Sequence, residues 1–121
     1  MEIKKDTITK FTPRTINRAN PETVERLRKQ GINVEVRDKN NDIDLRGQHF
    51  ENKDLSGLSF ANINVQGGQF KNCNLSNVNF SENDLTFCLF INVITNDQTA
   101  FPRNFDDLKK SNLVTFMEKQ Q

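Results

Sequence analysis

The chain has 121 residues, of which 34% are hydrophobic and 27% charged, with a formal net charge of +1 and ten Phe but no Trp or Tyr. This is the size of one ordinary domain, and a cytoplasmic protein is the expectation, because no run approaches the roughly 18 apolar residues of a membrane span and Met1–Asp6 leads into no apolar signal region. Cys73 and Cys88 are too few for a disulfide framework and lack the spacing of a zinc site, so neither a metal nor a cofactor is expected.

Charge is uneven along the chain. Residues 1–40 carry ten Lys/Arg against six Asp/Glu, residues 41–92 three against six, and residues 93–121 four of each. The amino-terminal arm, with Lys4, Lys5, Lys10, Arg14 and Arg18, offers weak nucleic-acid binding as a minor reading, since Phe11 is its one aromatic and Glu2 and Asp6 dilute its charge. Asn20 followed by Pro21-Glu22, with Val24 and Leu27 three apart and Gly31 as a stop, predicts a helix over 21–30. Ile32 to Val36 alternates apolar and polar, predicting a half-buried strand beside the segment that follows the polar turn 38–42.

From residue 41 a period of five takes over. Leu45, Phe50, Leu55, Phe60, Val65, Phe70, Leu75, Phe80, Leu85 and Phe90 recur at that spacing without a miss. Neither a helix nor a flat strand holds every fifth side chain on one side, whereas a chain that turns a corner every five residues does. Two positions earlier stands a looser inward row, from Ile43 through Leu58, Ile63, Gly68, Cys73 and Val78 to Cys88, in which Gln48, Lys53 and Asn83 are the polar exceptions. Gly or Asn fills most positions two after the large residue, as at Gly47, Asn52, Gly57 and Asn62, where tight bends are tolerated.

Asp54-Leu55-Ser56-Gly57, Cys73-Asn74-Leu75-Ser76-Asn77 and Asn83-Asp84-Leu85-Thr86 resemble the units of the pentapeptide-repeat family. The resemblance covers about fifty residues. It implies a mainly β fold, a short right-handed quadrilateral β-helix in which four units make one square coil, here about two and a half coils over residues 41–92. Residues twenty apart then stack: Phe50, Phe70 and Phe90 on one side, Phe60 and Phe80 opposite, Leu45, Val65 and Leu85 on a third, Leu55 and Leu75 on the fourth. Two Phe columns meeting across a narrow interior would fill it.

At ~4.8 Å per strand such a stub is roughly 12 Å tall and needs caps at both ends. A single domain over 1–121 is therefore expected, with 1–40 as arm and helix-strand cap and 93–121 as a cap helix. That helix should start near Asn104, after Pro102, with Phe105, Leu108, Leu113, Phe116 and Met117 on one apolar face. Packing over the last coil, it would cover Phe87, Leu89 and Ile91, which fall at outward positions. The alternative cover is a homodimer contact through the carboxyl-terminal end, a pairing that the family resemblance implies.

Catalysis has little to stand on. His49, the only histidine, falls at an outward position with no nucleophile, metal-ligand set or phosphate loop beside it. Asp44, Asn64 and Asp84 stack outward, where they can satisfy turns or meet a partner. Lys53, at an inward position, should send its tip toward the amino-terminal cap. The expected function is a non-catalytic interaction protein, by analogy a small bacterial or phage accessory factor that binds another protein, with Phe87, Leu89, Ile91, Asp44, Asn64 and Asp84 as candidate contacts. The resemblance also implies an alternative, a duplex-DNA mimic of the quinolone-protection type acting on gyrase. Against it, ~12 Å spans only three to four base-pair steps of ~3.4 Å, and the repeat's carboxylate excess is thin.

Overall fold

A computed structural model describes residues 18–120. Helix α1 spans Pro21–Lys29. It is followed by β1 (Ile43–Asp44), β2 (His49–Glu51), β3 (Ile63–Asn64), β4 (Gln69–Lys71), β5 (Leu89–Val93), helix α2 (Phe105–Lys110) and β6 (Thr115–Glu118). The basic arm up to Arg14 lies outside the described residues.

Four parallel ladders wind the repeat. On the first side Ile43 pairs with Ile63, and on the second His49 pairs with Gln69 and Gln69 with Leu89. On the third side Asp54 meets Asn74 and Asn74 meets Ile94, and on the fourth Ser59 meets Asn79. Partners twenty residues apart on all four sides mean that one circuit of the chain takes four units of five. The ladder continues past residue 92, for Asn79 also meets Ala100, a step of 21 that the loop 95–99 absorbs.

The corners explain the Gly and Asn positions. At Leu45, Leu55, Phe60, Val65, Leu75, Phe80 and Leu85 the carbonyl accepts the N–H three residues on, as in Leu58 N to Leu55 O at 3.2 Å and Ile63 N to Phe60 O at 3.0 Å. The residue between them, Gly57 or Asn62, takes a positive φ (78° and 64°), the requirement of a type II turn. Gly68 is needed for a different reason. A Cβ there would lie 2.9 Å from Val65 O and 3.4 Å from Gln48 O, so the inward row admits no side chain at that point.

All ten large residues of the period are between 0 and 3% exposed. Phe50 and Phe70 stack at 4.7 Å and Phe70 and Phe90 at 4.9 Å, while Phe60 and Phe80 lie 5.1 Å apart with their rings tilted by 30°. The two columns meet edge to face, at 6.3 Å for Phe60 and Phe70 and 5.5 Å for Phe70 and Phe80, the favoured geometry of aromatic quadrupoles. Polar members of the inward row also find partners. Cys73 Sγ donates to Phe50 O, Asn83 Nδ2 to Phe60 O and Cys88 Sγ to Val65 O, each reaching back 23 residues to the carbonyl of a large residue in the coil below. Burial raises both thiols, pushing Cys88 up to about 11.

Helix α1 closes the lower end. Asn20 Oδ1 accepts from Glu22 N and Thr23 N, and the helix stops where Gly31 turns left-handed, with Ile32 N bonded to Leu27 O and Gly31 N to Arg28 O. Leu27, Ile32 and Val34 are buried against the first coil. The expected strand over 32–36 does not form. Asn33 Oδ1 takes the Glu35 N–H, and backbone pairing with the coil is reduced to Asp44 N on Val36 O and a single antiparallel bridge between Arg37 and Ile43.

The upper end departs further from expectation. The predicted cap helix is only six residues long, because Asn112 takes a positive φ of 61° and Leu113 N and Asn112 N close back on Leu108 O and Lys109 O, a helix-ending motif. Leu113, Phe116 and Met117 therefore leave the helix. Phe116 falls in β6, which pairs in parallel with β5 and sets Phe116 over Phe90. Phe101, Phe105 and Phe116 close the top of the aromatic columns, with Phe101 and Phe105 stacked at 4.2 Å and Lys109 Nζ 4.9 Å from the Phe105 ring centre.

Candidate functional site

The second side of the coil is the broadest regular surface, four parallel strands in the order β2, β4, β5, β6. Register fixes its outward columns as His49, Gln69, Leu89, Thr115 and Glu51, Lys71, Ile91, Met117. The lower half is charged or polar and the upper half largely apolar. Leu89 and Ile91 are half-buried, Met117 is 56% exposed, and β6 extends the sheet above them where a helix was expected to lie over it.

Phe87 stands at the edge of this face and is 67% exposed. Its φ is 66°, the left-handed region that a bulky side chain avoids. The two positions below it in the same corner column are Gly47 and Gly67, both at positive φ. The backbone demanded by the winding is thus the same at all three levels of this corner, but the uppermost carries an aromatic ring. Phe87 N donates to Leu113 O at 2.6 Å, so the segment between α2 and β6 is tied to that corner and brings Leu113, 37% exposed, beside it. A depression of about 260 Å³ lies there, lined by Gly67, Gln69, Phe87, Leu89, Leu113 and Thr115 among others. The spacing of Leu113 and Met117 suits a cap helix. Their part in this patch was signalled only by Asn112, whose residue type suits a left-handed stop.

The polar candidates lie on the first side and are engaged within the chain. Asp44, Asn64 and Asp84 each accept the backbone N–H two residues on, from Arg46, Gln66 and Thr86. Asp44 also holds the Arg46 guanidinium through both oxygens at 2.9 Å, and those hydrogen bonds keep its carboxyl below the ordinary range. Gln66 Nε2 reaches Asp84, and Asn64 Nδ2 reaches Asp38 in the turn before β1.

Lys53 is half-buried and its Nζ donates to Gln30 O at 3.1 Å, at the end of α1. His49 is exposed on the edge strand β2, where the Gln48 side-chain amide donates to its backbone carbonyl. No cluster of His, Cys, Asp and Glu suited to a metal ion occurs among the described residues, and no described helix is long and apolar enough to cross a membrane.

The family model described as pentapeptide repeats matches in eight copies over residues 41–77 and 59–94. No curated protein and no solved structure matches the chain.

Proposed function

From the premise that residues 41–94 belong to the pentapeptide-repeat family, we propose that this chain is a non-catalytic module that binds another protein through the upper half of its second side, with Phe87 as the anchor and Leu89, Ile91, Leu113 and Met117 around it. The observation that carries this reading is Phe87 itself, an exposed ring held at positive φ in a column where the two lower coils have glycine. Backbone strain of this kind costs on the order of 1–3 kcal/mol and persists where something else is gained. An exposed aromatic flanked by aliphatic side chains is the composition of an interface anchor.

Phe87→Gly tests the reading, because glycine suits the backbone. The variant should unfold at the wild-type denaturant concentration or slightly above it, while proteins captured from a bacterial lysate by the wild type are lost. Retention of the same partners by a folded Phe87→Gly protein, and by a folded Leu89→Ser/Ile91→Thr protein, would remove this face from consideration. A homodimer through the same end is the other occupant the test can reveal, as a halved molar mass of the variant in light scattering.

Mimicry of duplex DNA finds less support in the polar side. Asp44 is neutralised by Arg46, and the carboxylates of Asp44 and Asp84 already accept bonds from the chain's own groups. Gyrase supercoiling that is unchanged by an excess of the protein is the corresponding expectation.

A further inference from the structure

We draw no further inference here: the strongest candidate, the acid-lined cavity of about 590 Å³ over the first side of the coil, is walled by Asp38 and Asp84, whose carboxylates already accept hydrogen bonds from the chain's own groups, and the one unpartnered buried side-chain polar atom among the described residues, Asn83 Oδ1, is closed off from solvent.

Discussion

The two ends of the coil are closed by opposite means. At the lower end α1 supplies polar groups to the backbone of the first coil: Arg26 donates to Ser56 O at 2.6 Å and to Asp54 O at 2.7 Å, and Thr23 Oγ1 donates to Ser59 O at 2.9 Å. At the upper end the coil is prolonged by a strand and sealed by aromatic rings, with Phe90 against Phe101, Phe105 and Phe116 at 6.3, 6.2 and 5.7 Å. A solenoid's terminal edge can therefore be satisfied by side chains that reach its carbonyls, or deferred by one more strand. Only the first solution leaves the end polar. The second leaves Met117 and Leu113 partly in water, which is why the apolar patch lies at the upper end.

The largest expected effects are in the columns. Phe90 touches five other rings and Phe50 two, so Phe90→Ala should cost more than Phe50→Ala, with both in the range of about 3–5 kcal/mol known for buried Phe. Urea unfolding measures the pair. An equal or greater loss at Phe50 would mean that the upper rings add little, and the contrast between the ends would fail.

A smaller effect is expected at Arg26. Alanine there takes the side-chain donor from Ser56 O and leaves Asp54 O with only the longer bond from Gln30 Nε2 at 3.4 Å, costing about 1–3 kcal/mol, and lysine, which cannot span both carbonyls, should recover only part of it. Amide exchange should quicken along the lower edge of the third side and stay unchanged in β5 and β6.

The smallest effect is set by pH. Asp44 is held below 3.8 mainly by Arg46 and Asp54 mainly by Ser56, and both lie in the first coil. Asp38, just before it, is also lowered: partial burial works against its ionisation, but bonds from Asn64, Asp42 and Asn40 prevail. The unfolded chain protonates these groups first, so stability should fall as the pH drops below about 3.8 and continue to fall until the folded carboxyls are protonated as well. Amide exchange at low pH should locate that loss at the lower end.

The period of five made the interior legible, because every one of its ten residues answers to the same requirement, a large side chain on the inner side of a corner. The upper closure was not legible for the same reason. Phe101 comes 21 residues after Phe80, and Phe116 comes 26 after Phe90, once α2 has been inserted. Counting by five cannot find rings that have fallen out of step. The spacing of Phe105, Leu108 and Leu113 suits a helix, and what ends it is a single left-handed residue, Asn112. The candidate site was half visible. Phe87 read correctly as outward, but its strain emerges only when its corner is compared with Gly47 and Gly67.

The pairing of Phe columns on opposite sides with aliphatic columns between them restricts how this chain can change length. Adding ten residues within the repeat would turn everything above the insertion through half a circuit and still set ring upon ring. Adding five would turn it through a quarter and set Leu upon Phe along the whole seam. Growth of such a coil is therefore quantised in steps of two units, and a lone duplicated pentapeptide is a lesion even though each of its residues obeys the repeat.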